Sequence, residues 1–390
     1  MQRLIIRNIG PVKEADINLK KVNVFIGPQS SGKSTVAKII SFCTWLEKNK
    51  HELNGAGLFS SNVIDKLLSY HRMEGYMAEN SHLFYQGDNI AFAYNWEDAV
   101  PLDFGTAGYH EIVGDGKQRI FLSDERLSNP KVLYIPAERN FVSVVPNLQK
   151  YDDSNDSLHR FIIDWFEAKR SINKQEPLNL IDLGMSFYSD EDEDYIEIEN
   201  GRPIKLRNAS SGLQSVTPLL VVADYLTNGI YKKERPFSVE EQDVLNKILH
   251  QIAVLGKDFS EFQRRLSGFL QGKVYTHTQF IIEEPEQNLY PTEQYKLIEH
   301  LMAIINHGKQ HKMTMTTHSP YIVNFLNVLL RRPDDSSSFI SHEDLNVYLI
   351  SDGELSDLMM HDVSGTRWAV DTSVLNAAMD SIAAEFESLS

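Results

Sequence analysis

One cysteine, Cys43, is all that 390 residues contain, so neither an intramolecular disulfide nor a cysteine-built zinc site can form. A reducing compartment suits such a chain. No stretch approaches the roughly 20 apolar residues needed to cross a bilayer, and the N-terminus lacks the basic segment and apolar core of a signal peptide. The expectation is a soluble, cytoplasmic protein with no membrane partner. Basic charge is scarce too: 38 Lys and Arg face 54 Asp and Glu, a net charge of −16. That argues against a broadly basic protein that coats nucleic acid, although a local basic patch can survive within an acidic whole. Lys232-Lys233, Arg264-Arg265 and Arg331-Arg332 are the pairs to consider, and each reads first as a solvated surface pair. There is no internal repeat and no sustained heptad register, which excludes a solenoid and an extended coiled coil. At 42% hydrophobic and 24% charged, the composition is that of a globular chain. It can bury the core of one large domain with insertions or of two small ones.

The opening residues alternate as strands do: Leu4-Ile5-Ile6, a turn at Gly10-Pro11, then Ala15–Leu19 and the apolar run Val22–Ile26. From Lys33, residues Val36, Ile39, Ile40, Cys43 and Leu46 fall on one helical face. Residues 50–130 show no clear period, and the rest alternates strand and helix. Lys131–Pro136 predicts a buried strand, 156–172 an amphipathic helix, and Tyr195–Glu199 with Pro203–Leu206 a hairpin turned by Asn200-Gly201. The acidic run Ser189–Asp194 reads as a solvated loop. Helix is expected at Val216–Tyr225, 238–270, Thr292–Asn306 and 370–388, with strands at Thr278–Ile282, Lys312–Thr316 and 344–351. The pattern is α/β.

Gly27-Pro28-Gln29-Ser30-Ser31-Gly32-Lys33-Ser34-Thr35 matches G-x-x-x-x-G-K-[ST] in full. A chance glycine-serine turn is the alternative, but the apolar strand before it and the helix after it supply the context a phosphate loop needs. Backbone N–H groups of such a loop face phosphate oxygens, Lys33 reaches the β- and γ-phosphates, and Ser34 ligates Mg²⁺. Phe280-Ile281-Ile282 ends in Glu283-Glu284, and paired acids at a strand end are commonly a solvated cap. After a phosphate loop they take another meaning: Glu283 holds the metal and Glu284 polarises the attacking water. Thr316-Thr317-His318-Ser319-Pro320 ends a later strand, where His318 suits a sensor of the γ-phosphate; a structural histidine is the plainer alternative. Asn208-Ala209-Ser210-Ser211-Gly212-Leu213-Gln214 precedes an apolar helix and offers either an anion site or an ordinary N-cap.

In this order the four motifs resemble the ATP-binding-cassette (ABC-type) ATPases, and more closely their RecF/SMC/OLD-like branch than the transporters. Leu4–Pro11 and Glu284-Pro285-Glu286-Gln287-Asn288-Leu289-Tyr290-Pro291 are similar to that branch, as is the Thr-His-Ser-Pro ending. The resemblance implies an ABC-type ATPase head: a mixed central sheet flanked by helices, with a helical subdomain. It would occupy residues 1–330, with a variable insertion at 50–130 and a helical insertion at 226–275, and 331–390 would complete it with a strand and a helix. It implies ATP and Mg²⁺ as cofactors and a homodimer or higher homo-oligomer closed around nucleotide. One subunit would bring Lys33, Ser34, Glu283, Glu284 and His318, and the other a signature loop matched here by Ser211, Gly212 and Gln214. Three departures stand out. The signature reads Ser-Ser-Gly-Leu-Gln, the metal-side acid is Glu283 where Asp is commoner, and the family's Q-loop glutamine has no counterpart. Glu138 or Arg139 lies in about that place, with a structural salt bridge as the other reading. No coiled coil follows Arg139, and about seventy residues after His318 leave little room for a nuclease domain; Asp352, Glu354 and Asp357 read as a surface loop. The resemblance therefore implies the ATPase subunit of a two-component bacterial system, for anti-phage defence or toxin holding, with an effector protein partner. A RecF-like DNA-binding repair ATPase and a nucleotide-stabilised scaffold are the alternatives.

Overall fold

A computed structural model describes residues 2–49, 63–96, 109–114, 117–123, 129–145, 148, 151, 156–181, 184–190, 193–198, 201–232, 242, 275–362 and 364–389. The chain opens with β1 (Gln2–Ile9), β2 (Val12–Leu19), β3 (Val22–Ile26), α1 (Lys33–Lys48) and α2 (Val63–Tyr70). Then come β4 (Met77–Gln86), β5 (Ile90–Tyr94), β6 (Tyr109–Gly114), β7 (Gln118–Ser123) and β8 (Pro130–Ile135). A 3-10 turn at Ala137–Asn140 leads to α3 (Phe141–Val144) and α4 (Ser157–Lys169). A small sheet follows, built of β9 (Leu178–Leu180), β10 (Met185–Asp190), β11 (Glu193–Ile198) and β12 (Ile204–Lys205). After α5 (Ser211–Thr227) the chain runs through β13 (His277–Glu283), α6 (Pro291–Asn306), β14 (Lys312–Thr317) and α7 (Pro320–Leu329). It closes with β15 (Leu345–Ser351), β16 (Glu354–Asp357), the ribbon β17 (Met359–His361) and β18 (Trp368–Val370), and α8 (Ser373–Ser388).

Among the described residues one sheet of 12 strands dominates, in the order β6-β7-β5-β4-β1-β2-β16-β15-β3-β14-β13-β8. Its working half is parallel: β15 and β14 flank β3, and β13 lies between β14 and β8. Buried on both faces, these strands read as nearly continuous apolar runs, as Phe280-Ile281-Ile282 does. Their period of two divides the core. Val22, Val24, Ile26, Phe280, Ile282, Met313 and Met315 pack under α5, α6 and α7. Phe25, Tyr134, Ile281, Tyr348 and Ile350 face α1, whose Val36, Ile39, Ile40, Cys43 and Leu46 form the stripe expected from their spacing. Each fully buried aliphatic side chain contributes about 1.5–3 kcal/mol. The mixed sheet flanked by helices is the expected fold class.

Two segments differ from expectation. The described residues of the acidic run are strand and not loop, with Ser189 of β10 opposite Asp194 of β11 and Asp190 opposite Glu193, while 191–192 lie outside the described residues. Lys169 binds Asp194 at 2.9 Å, while Lys205 and Arg207 bind Glu193 at 3.1 and 3.0 Å, so cations from neighbouring elements offset the like charges. Asp352, Glu354 and Asp357 likewise belong to a hairpin. Asp352-Gly353, both at positive φ, turn β15 into β16, which suits the right-handed twist of the strands. The pairing expected for 195–199 with 203–206 is present as Tyr195↔Lys205 and Ile196↔Ile204, whereas Asn200 lies outside the described residues. So does most of the helix expected at 238–270 and of the insertion 226–275. The described parts of 50–130 add α2 and four strands that extend the sheet beyond β1.

Glu47, fully buried in the last turn of α1, joins that extension to the helix. It accepts hydrogen bonds from Gln2 Nε2 (3.2 Å), Tyr85 Oη (3.0 Å) and the Asn89 N–H (2.6 Å). Burial above all, then the charge of Asp88, pushes its carboxyl up to about 7. A raised folded pKa means its stabilising contribution is complete below the unfolded value, near 4.5, and is lost as pH rises through about 7. Urea denaturation across about pH 5 to 7.5 should therefore show wild-type stability falling relative to Glu47→Gln, by on the order of 3 kcal/mol. Parallel pH profiles for the two proteins would refute this.

Candidate active site

The parallel strands deliver three of the four sequence-predicted motifs to one edge. Ile26 pairs with Thr317 and Thr316 with Glu283, so β3, β14 and β13 end level. With strands about 4.8 Å apart, the phosphate loop, His318 and Glu284 emerge within about 10 Å of one another. Ligands of parallel sheets bind at these carboxyl ends.

Two positions in the loop admit only glycine. A Cβ on Gly27 would meet the Ile350 carbonyl oxygen at 2.1 Å. One on Gly32, which precedes α1 at φ 110°, would meet Val12 Cγ2 at 2.6 Å. Pro28, Gln29 and Ser30 are exposed, and Ser30 also has positive φ. Ser31 and Thr35 are buried, the Ser31 hydroxyl without a hydrogen-bond partner. Lys33 turns back over the loop: its Nζ donates to Gly27 O (2.9 Å) and Pro28 O (2.6 Å) and lies 3.5 Å from His318 Nδ1. Burial lowers its pKa, against the opposing charges of Glu284, Glu286 and Glu283.

The adjacent acids diverge. Glu283, still in the strand, is 5% exposed and keeps Oε1 unpaired. Burial raises its pKa, while the exposed Ser34 hydroxyl, Lys38 and Tyr134 act to keep it ionised. Glu284 adopts φ 43°, an unfavourable conformation for a residue with a Cβ, and this turns its side chain away from that of Glu283. Its Oε1 lies 3.5 Å from His318 Nε2. The His318 N–H donates to Glu286 Oε1 at 2.7 Å. Lys33, His318 and Glu284 thus form a continuous row. Beside it, the buried unpaired oxygen of Glu283 and the facing hydroxyl of Ser34 are a hard oxygen pair that suits Mg²⁺.

Among the described residues Arg139 has no salt-bridge partner. Wholly buried, it donates to the carbonyls of Ser215 (2.9 Å), Glu283 (2.8 Å) and Glu284 (2.8 Å), and at 3.4 Å to those of Pro136 and Pro285. Burial lowers its pKa to about 10, opposed by Glu286, Glu284 and Glu283. It binds the acidic turn to α5 through the backbone. Sequence reasoning missed that role, since backbone acceptors leave no sequence signal. Glu138 is exposed, and its charge reaches Glu283.

The signature segment packs on the turn after Glu284. Ser210 caps α5 by accepting from the Leu213 N–H (3.4 Å). A Cβ on Gly212 would meet the Asn288 carbonyl at 2.8 Å, and Asn288 Nδ2 donates to Ser215 Oγ (3.0 Å). Gln214 donates to the carbonyls of Arg207 and Ala209 and so closes its own loop. Ser211 is the exposed member.

The family described as an AAA ATPase domain matches residues 269–323, from ahead of β13 through His318. The matched residues include Glu283, Glu284 and His318, the last 3.5 Å from Lys33 of the phosphate loop. Over those residues the chain is similar to an AAA ATPase domain. Solved structures align with this chain over nearly its whole length at low identity. An SMC head domain from Thermotoga maritima shares 13% identity, covering 91% of this chain and 97% of that one, at a TM-score of 0.35. A Pyrococcus furiosus Smc head with extended coiled coil, bound to the C-terminal domain of ScpA, shares 10%, covering 99% and 100%, at 0.38. A dimeric bacterial ABC transporter cassette shares 10%, covering 90% and 96%, at 0.28. With scores this low, the description of the fold rests on the chain's own strand order and registers. No curated protein matches the chain. No described helix is long and apolar enough to cross a membrane.

Proposed function

We propose that this protein is an ABC/SMC-like ATPase that hydrolyses ATP as a switch, closing as a homodimer or higher homo-oligomer around nucleotide and passing that closure to an effector protein. The convergence of Lys33, His318 and Glu284 beside Ser34 and Glu283 carries the reading. Loop N–H groups and Lys33 bind the β- and γ-phosphates. Ser34 and Glu283 would hold Mg²⁺, which supplies neutralising charge at those phosphates. Glu284 orients water and draws its proton, while His318, between the amine and the carboxylate, donates toward the γ-phosphate. Ser211 is exposed at the start of a helix, so a second copy's phosphate can meet it. In this reading half of each site comes from a partner subunit, and hydrolysis is coupled to opening. The effector follows from the resemblance, as the second component of an anti-phage or toxin-holding pair. Calorimetric titration with a non-hydrolysable ATP analogue tests the core of this. Lys33→Ala should weaken binding by about 100-fold, since it removes a charge-assisted contact made in a low-dielectric site. Equal affinity for both proteins would sink the reading.

A further inference from the structure

The metal-side acid and two side chains behind it, from three segments in all, are buried with polar atoms that find no hydrogen-bond partner among the described residues. Glu283 Oε1 belongs to β13, Tyr134 Oη to β8, and both ring nitrogens of His71 to the residue after α2. Their exposures are 5%, 6% and 1%. Native proteins rarely leave such groups unmatched, because each costs about 1–3 kcal/mol.

Register explains why they meet. Tyr134 pairs with Ile281, so Glu283 lies two residues along on the same sheet face, within reach of a phenol side chain. The His71 ring packs edge-on against Tyr134 with centroids 5.1 Å apart. Lys38, one turn beyond Ser34 on α1, acts electrostatically on both His71 and Glu283.

We propose that Tyr134 and His71 are positioning residues for Glu283. A His71 N–H donates to Tyr134 Oη and the phenol donates to Glu283 Oε1, directly or through one water, fixing the carboxylate in the orientation Mg²⁺ needs. The inference rests on the ATPase reading and adds a regulator to it. His71 comes from the 50–130 stretch, so the segment that extends the sheet also sets the geometry of the metal side.

The test compares the affinity of a non-hydrolysable ATP analogue with Mg²⁺ and with EDTA, alongside thermal stability. Tyr134→Phe removes one oxygen and keeps the ring. It should cut the gain that Mg²⁺ confers by about 10-fold, the usual effect of losing a group that orients a metal ligand, and leave affinity in EDTA unchanged. His71→Leu should shift the gain in the same direction. A phenol that is merely unsatisfied predicts the opposite for Tyr134→Phe: a higher Tm and an unaltered Mg²⁺ gain, which would overturn the proposal alone. A wild-type chain that gains nothing from Mg²⁺ overturns the ATPase reading and this inference with it.

Discussion

Glu284→Gln is expected to lower ATP turnover by about 10³-fold while leaving ATP binding intact, since a positioned base contributes roughly 10² to 10⁴ in rate. The glutamine keeps the size and shape of the side chain, and the backbone at φ 43° is held by bonds the substitution does not touch: the residue's N–H to Thr316 O and its carbonyl to Arg139. What changes is the acceptor. A carboxylate 3.5 Å from His318 Nε2 can take a proton from water and support the imidazole; an amide cannot take that proton. Phosphate release under saturating ATP measures the loss. Size-exclusion chromatography with ATP and Mg²⁺ should show the variant retained as a dimer, because hydrolysis is the step that reopens the site. Unchanged turnover would return Glu284 to a solvated strand cap and leave a nucleotide-stabilised scaffold. The variant therefore separates an enzyme from a scaffold without a partner in hand.

Some of this architecture was legible in the residues and some was not, for physical reasons. Gly27 and Gly32 announce themselves because close backbone approach excludes every Cβ, so the loop can be written in only one way. The strands feeding the site were legible because burial on both faces demands unbroken apolar runs. The order β3-β14-β13, which makes neighbours of residues 26, 317 and 283, is a tertiary fact with no local trace. The β10–β11 hairpin stayed hidden because its acidic residues are neutralised by Lys169, Lys205 and Arg207, all of which lie outside the run, in a helix, a later strand and a later turn. Strands β4 to β7 were obscured by polar positions such as Glu79 and Asn80, which fall on the exposed part of an extension only partly covered.

Arg139 carries the other large effect, and the prediction concerns stability first. Three short bonds, to Ser215, Glu283 and Glu284, terminate on carbonyls in a region from which water is excluded. Arg139→Met keeps much of the volume but removes all the donors, and each orphaned acceptor costs about 1–3 kcal/mol. A total loss of about 4 kcal/mol is a large share of the 5–15 kcal/mol that stabilises a typical domain. Arg139→Lys should recover only part, since one ammonium cannot span carbonyls on two elements as the guanidinium fork does. Urea denaturation reads both variants, and a loss below about 1 kcal/mol for Arg139→Met would contradict the argument. The chemistry should follow the stability. Glu284 holds its unfavourable φ because Arg139 Nη2 and Thr316 O fix the peptide on either side of it. With the Arg139 half of that clamp weakened, the residue can relax toward ordinary backbone geometry and swing its carboxylate from His318. In Arg139→Lys, folded at low temperature, kcat should therefore fall several-fold more than ATP affinity, because Lys33 and the loop N–H groups that bind phosphate stand on β3 and α1, beyond the reach of the clamp.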